Sequence, residues 1–250
     1  MRSTLPKVLH RVGGRTLIEA VLADKALVLA AAFDVAGSPA IGQELGGVKV
    51  SADAAASIGS ADVLIDFTRP EGTLAHLKHA KAVVIGTTGF SAAQKKSIEE
   101  AAKRLPIVMA ANFAVGVNAA YVLAEAAAKM LGDYDVEIIE AHHRHKVDAP
   151  SGTALKLGEI VAAAQKKSDF AFGRKGDTGE RPAGQIAYHS IRGGDIVGEH
   201  TVIFAGVGER VEVTVRSQSR MTYAAGALRA ARFLKGKKPG LYGMADVLGG

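Results

Sequence analysis

Residues 63–89 read VLIDFTRPEGTLAHLKHAKAVVIGTTG. A short apolar run at 63–67 is followed by a helix-like stretch at 71–80, a second apolar run at 82–85 and the turn Gly86-Thr87-Thr88-Gly89. Apolar runs this short, bounded by turn formers, read as strands. Two such strands joined through a helix imply a right-handed crossover and parallel pairing. The alternation extends both ways: 27–33 and 106–109 read as strands, and 92–104 as a helix. The expected fold class is α/β, with a Rossmann-type doubly wound parallel sheet.

Open sheets of this kind bind ligands at the carboxyl ends of their strands. Those ends carry Asp34, Thr68-Arg69, Gly86-Thr87-Thr88-Gly89 and Asn112-Phe113. Asp34 suits the ribose hydroxyls of NAD, although an aspartate can also simply end a strand. Val35 offers no charge for a ribose phosphate, so NADPH would rely on another base such as Arg69.

Beyond Asn118 an Ala-rich helix runs to about Met130. A strand at 136–140, a helix at 151–164 and a Gly- and charge-rich loop at 173–184 follow, then strands at 185–192, 201–205 and 209–217. This pattern predicts a second α+β domain with a mixed sheet, spanning 114–218. A last helix at 221–234 returns to the first domain, so 1–113 and 219–250 are expected to form the dinucleotide-binding part.

Dinucleotide domains open with an apolar strand running into a G-x-G-x-x-G loop. Here Val12-Gly13-Gly14-Arg15-Thr16 leads into a helix at 17–22, but Pro6, Lys7, His10 and Arg11 stand before it. Proline removes a ladder hydrogen bond, and side chains at glycine positions obstruct a phosphate. Gly13 and Gly14 are therefore either a cofactor loop supported by Lys7 and Arg11 or a plain structural turn.

The 250 residues are 48% hydrophobic and 5% aromatic, with no tryptophan, which suits a sizeable core in α/β layers. Cysteine is absent, so disulfides and thiol catalysis are excluded; this fits a cytoplasmic protein. The amino terminus lacks an apolar signal core and no apolar stretch is long enough to span a bilayer, so no membrane association is expected. The net charge of +6 is spread along the chain without aromatic interleaving. It points to small anions rather than nucleic acid.

The chemistry concentrates in Glu140-Ala141-His142-His143-Arg144-His145-Lys146-Val147-Asp148-Ala149-Pro150-Ser151-Gly152-Thr153. The strand before this run and the helix after it place the histidines at a strand-to-helix connection. Pro150 keeps Ala149 out of helical geometry and Ser151 is a favoured cap, so the amides of Gly152 and Thr153 are expected to be bare at the helix start. Bare amides there bind anions, and the imidazoles with Lys146 would supply the opposite half of a dianion site and a proton. The histidine spacing matches no common zinc pattern, so no metal is expected. The blander alternative is a solvated polar turn.

With Asp66-Phe67-Thr68-Arg69-Pro70-Glu71, Gly86-Thr87-Thr88-Gly89 and Ala111-Asn112-Phe113-Ala114-Val115-Gly116-Val117-Asn118, this run resembles the 4-hydroxy-tetrahydrodipicolinate (dihydrodipicolinate) reductase family of bacterial lysine and diaminopimelate biosynthesis. The resemblance extends from about Arg15 to near the carboxyl terminus. It implies NAD(P)H-dependent reduction of a cyclic dicarboxylate with loss of water, in a homotetramer assembled through the second domain. It further implies His142 and Lys146 as catalytic residues, with His143, Lys146, Gly152 and Thr153 on the substrate. Gly86, Thr87, Thr88, Ala110, Ala111, Asn112 and Phe113 would line the nicotinamide side, with Asp34 on the adenosine ribose and Gly13 at the nucleotide loop. The family's opening G-x-x-G-R-M-G-R is not preserved in either possible register, which bears on affinity for both cofactors. Val35 stands where many relatives place arginine, which tilts the choice towards NADH. A non-catalytic dicarboxylate-binding or assembly subunit is the competing reading.

Overall fold

The computed structural model describes residues 7–11, 15–219 and 221–249; Gly13 and Gly14 lie outside them. Two compact units result, residues 1–115 with 221–250, and residues 116–220. In chain order the first unit begins with β1 (Lys7–Arg11), α1 (Arg15–Ala23), β2 (Val28–Phe33), β3 (Glu44–Leu45), β4 (Val48–Ser51) and α2 (Ala54–Gly59). It continues with β5 (Val63–Asp66), α3 (Pro70–His76), β6 (Val83–Ile85), α4 (Ala92–Ala102) and β7 (Pro106–Met109). The second unit holds most of α5 (Val115–Met130), then β8 (Asp135–His142), α6 (Gly152–Gln165), β9 (Phe170–Phe172), β10 (Ile186–Arg192), β11 (Gly198–Ala205) and β12 (Arg210–Ser217). The chain closes in the first unit with α7 (Met221–Phe233), β13 (Gly240–Tyr242) and α8 (Met244–Leu248).

The first unit's sheet has the order β13-β7-β6-β5-β1-β2-β4-β3, parallel except for the β3–β4 edge. The chain moves outward from β1 to β2 and β4, then returns to pair β5 on the other side of β1. That reversal creates the crevice where open α/β sheets bind nucleotides. Every residue of β5 and β6 is buried, and apart from Asp66 at the end of β5 these strands are continuously apolar rather than alternating. Successive side chains point to opposite faces. Val63 and Ile65 accordingly meet Leu17, Ile18 and Val21 of α1 and Ala227, Leu228 and Ala231 of α7, whereas Leu64 packs with Ile58, Ile98 and Ile107.

α7 approaches the Phe113 backbone so closely that a Cβ on Gly226 would lie 1.6 Å from the Phe113 carbonyl oxygen. Only glycine permits that contact. The helix expected over 71–80 ends at His76 and closes in tight turns, with Lys78 N–H donating to Ala75 and His79 N–H to His76. The short elements β3, β4, α2, β9, β13 and α8 carry too few residues to show a period.

The second unit is a mixed sheet, β12-β11-β8-β10-β9, with β8, β10 and β9 parallel and β11 antiparallel to both its neighbours. Ala124 and Ala128 of α5 and Ala154, Leu157 and Val161 of α6 cover one face, against Val136, Ile138, Ile186, Tyr188, Val202 and Phe204. Alternation along β8 carries Glu140 and His142 onto that same covered face, as it does Gly198 and His200 on β11.

Candidate active site

β8 runs two residues further than the expected 136–140, so His142 is the last strand residue and only His143 onward belongs to the connection. Being two apart on one strand, Glu140 and His142 share a face, and the Glu140 carboxylate accepts from His142 Nδ1 at 2.6 Å. Its other oxygen accepts from the Ser151 amide at 3.2 Å. Arg192, in register with His142 across β10, clamps the carboxylate through Nη1 at 2.8 Å and Nη2 at 2.7 Å. The Nη2 group also donates to the Asp148 carbonyl at 2.6 Å.

Burial alone would raise the Glu140 carboxyl, but hydrogen bonds from Arg192, Ser190 and His142 outweigh it and hold the group at about 2. The carboxylate is thus an anion at neutral pH although its side chain is only 1% exposed. Burial pushes the His142 imidazole down; Glu140 opposes that, and the charges of Lys146 and Arg192 add to it. His200 packs edge-on against His142 at 5.2 Å between centroids, and its Nε2 lies 2.8 Å from Ser151 Oγ. Burial, reinforced by His142, lowers His200 to about 4. At neutral pH the ring is uncharged, and Nε2 and the serine hydroxyl share one hydrogen bond.

Ser151 caps α6 by accepting from the Ala154 amide at 3.2 Å, after a cis Ala149–Pro150 bond. Gly152 is exposed and its amide meets no acceptor among the described residues, whereas Thr153 already has a partner of its own. The expectation of two bare residues at the helix start therefore narrows to Gly152. The Lys146 ammonium is held by both Asp148 oxygens at 2.8 Å. His143 Nδ1 is buried without a hydrogen bond, an orphaned polar atom of the type found where a ligand completes the partner set. Arg192 and His200 escape a linear reading because register and sheet pairing alone bring them to His142, whereas the period-2 alternation of β8 was the available signal for Glu140.

In the first unit, Asp34 ends β2 and accepts from the Val35 amide and the Ser38 hydroxyl, both at 2.8 Å. With Val35, Thr68, Arg69 and Glu71 it lines a cavity of about 480 Å³ at the strand ends. Val35 is exposed, as is Arg69, whose guanidinium makes no hydrogen bond among the described residues. The cavity thus carries the Asp34 and Glu71 carboxylates and the Arg69 cation.

Thr87 is 4% exposed, and its hydroxyl is tied to Thr73 and the Thr68 amide at 2.9 Å each. Its backbone is what it can offer a cofactor. A Cβ on Gly86 would lie 2.1 Å from the Phe67 ring, so glycine there is demanded by packing. Phe113 is 1% exposed and packs against Phe67 at 5.6 Å, and Asn112 Oδ1 accepts from the Ala114 amide at 2.8 Å. Ala110 is half-buried beside them and Ala111 and Thr88 are exposed. Among the described residues no group of three or more His, Asp or Glu side chains is arranged to hold a metal ion.

A doubly wound nucleotide unit, joined to a unit whose imidazoles, ammonium and helix start suit a small anion, defines a two-domain NAD(P)-linked oxidoreductase. Residues 11–113 match the model of the dihydrodipicolinate reductase N-terminus and residues 116–248 that of its C-terminus. The 4-hydroxy-tetrahydrodipicolinate reductase of Aromatoleum aromaticum is 57% identical over 94% of this chain and 91% of its own length. That of Burkholderia multivorans is 57% identical over 94% and 95%. The dipicolinate-bound dihydrodipicolinate reductase from Paenisporosarcina sp. TG-14 superposes with a TM-score of 0.82 at 26% identity, covering 97% of this chain and 99% of that one. An amine dehydrogenase from Mycobacterium smegmatis, 12% identical with a TM-score of 0.62 over 96% and 95%, shares the fold alone. The chain belongs to the dihydrodipicolinate reductase family, whose members are NAD(P)H-dependent.

Proposed function

We propose that this family member reduces 4-hydroxy-tetrahydrodipicolinate with NAD(P)H through the residues of the 140–153 run. The observation that carries the reading is one buried carboxylate, Glu140, bonded at once to the His142 ring and to the Ser151 amide at the start of α6. An imidazole suited to proton transfer and a helix start suited to an anion are thereby held side by side. Gly152 gives a substrate carboxylate an accessible amide, Thr153 a hydroxyl, His143 an unsatisfied buried ring nitrogen and Lys146 a positive charge.

The ring of a dicarboxylate gains electron density during reduction, and fixed cations and amide dipoles stabilise that density. His142 or Lys146 delivers the proton. Asp34 receives the ribose, and Gly86, Thr87, Thr88 and Ala110 to Phe113 border the nicotinamide largely with backbone, Gly13 serving the phosphates. When bound, the nicotinamide supplies the reducing equivalent. NADH is the favoured partner, because Val35 is neutral beside the Asp34 carboxylate; Arg69 on the same cavity is the base available to NADPH.

The proposal extends to a cytoplasmic homotetramer. Cysteine is absent, and among the described residues no helix is long and apolar enough to cross a membrane. Half-buried Ile139 and Ile203 and exposed Ile191 lie on the sheet face away from α5 and α6, which suits contact with other copies. Nucleic acid plays no part.

Titration with NADH, NADPH and pyridine-2,6-dicarboxylate, with turnover assays of Lys146→Ala, tests the reading. Both cofactors should bind, NADH more tightly, and Lys146→Ala should lower kcat by roughly 100-fold or more. Dicarboxylate binding without either cofactor would return the non-catalytic subunit, which nothing in the family comparison favours.

A further inference from the structure

We infer that Glu140 is the positioning residue of this site, its one carboxylate setting both the tautomer of His142 and the place of the α6 start, with Arg192 holding it fixed. The inference rests on the reading of the site given above.

Its position on β8 lies in line with Val136 and Ile138, under a helix layer, where an apolar side chain is the economical choice. A buried carboxylate is costly unless paired and hydrogen-bonded. Here each oxygen has at least two partners: Oε2 takes His142 Nδ1 and Arg192 Nη1, and Oε1 takes the Ser151 amide and Arg192 Nη2. Arg192 reaches on to the Asp148 carbonyl, so the strand end, the histidine loop and the helix start converge on one ion pair.

A carboxylate only accepts, so His142 Nδ1 must carry hydrogen and Nε2 presents its lone pair in the neutral ring. Gly198 borders that nitrogen; a Cβ there would come within 3.1 Å of it. The charged and titratable groups about the ring are Glu140 on its own strand, Arg192 on β10, His200 on β11 and Lys146 in the loop. Glu140 is the anion among them, and it favours the imidazolium that burial and the cations oppose. His142 is thereby kept able to gain and release a proton, with the exchanging nitrogen chosen in advance.

Nitrogen-15 correlation spectra of the imidazoles test the first half in the wild-type protein: His142 should be the Nδ1–H tautomer, and an Nε2–H tautomer overturns the inference. Glu140→Gln tests the second. A glutamine must turn its NH2 towards either His142 or the donors Ser151 and Arg192, so one half of the arrangement is lost. We expect kcat to fall roughly 100-fold, with a smaller change in KM, and the alkaline limb of the kcat/KM profile, set by loss of the proton that His142 donates, to move to lower pH.

The double variant Glu140→Gln/Arg192→Met removes the cation left uncompensated by the single change. Its Tm should recover most of what the single variant loses while kcat stays depressed. Recovery of kcat together with Tm, or an unmoved alkaline limb, reduces Glu140 to a structural role and overturns the inference. His142→Gln separates the two levels. Wild-type turnover in that variant defeats the reading of the site, and the inference with it. Impaired His142→Gln beside an unimpaired Glu140→Gln defeats the positioning role alone.

Discussion

Acidification should weaken the second unit through His200 before the carboxylates of Glu137 and Glu140 titrate. His200 is 5% exposed and burial holds it at about 4, against 6.5 for the free side chain. An unfolded chain takes up a proton near 6.5 that the native state refuses until about 4, so the contribution to stability is complete above 6.5 and disappears as pH falls towards 4. At pH 5, well below the unfolded value and one unit above the native one, the loss relative to pH 8 is about 2 kcal/mol. Glu137 and Glu140, both held at about 2, keep their charge there and contribute little to the change.

The assay is urea unfolding followed by far-ultraviolet circular dichroism at pH 8 and pH 5, for the wild type and for His200→Gln. Glutamine can still exchange a hydrogen bond with the Ser151 hydroxyl but does not titrate. The wild type should lose about 2 kcal/mol more than the variant between the two conditions. His142, lowered in the same direction, is common to both proteins and cancels. Equal losses would refute the assignment of a buried neutral imidazole at position 200.

Asp148 holds Lys146 while its carbonyl serves Arg192, so Asp148→Ala removes the competing carboxylate and leaves the backbone bond. Binding of pyridine-2,6-dicarboxylate, measured calorimetrically, should tighten by up to about fivefold, the range of an exposed ion pair; weaker binding would show that Asp148 supports the site instead. Gly226→Ala should cost about 3 kcal/mol or more in chemical unfolding, since its Cβ would lie 1.6 Å from the Phe113 carbonyl oxygen. Gly132→Ala, with nothing within 4 Å, should change stability by less than about 0.5 kcal/mol, and similar losses in the two variants would refute the packing assignment.

The doubly wound sheet and the mixed sheet were both legible in the chain, because buried parallel strands are continuous apolar runs and half-buried ones alternate. The strand-end positions Asp34, Arg69 and Gly86 could be located for the same reason. Less visible was what occupies them: Gly86 is pressed by the Phe67 ring, Thr87 is absorbed in a buried hydroxyl network and Phe113 is core. A glycine or threonine at a strand end looks alike whether it meets a ligand or a neighbouring ring. Elements of two to five residues, such as β3, β13 and α8, left no periodic trace.

Period and composition by themselves determined the two classes of sheet, the return of the last helix and the place of the histidine run between a strand and a capped helix. Those properties are written in neighbouring residues, whose spacing sets local geometry. Tertiary structure decided that Glu140, Arg192, Ser151 and His200 converge on His142, and that Lys146 faces Asp148. Glu140 and Arg192 lie 52 positions apart and meet only through the register of β8 against β10. A salt bridge at that separation follows from sheet pairing, which no local pattern encodes.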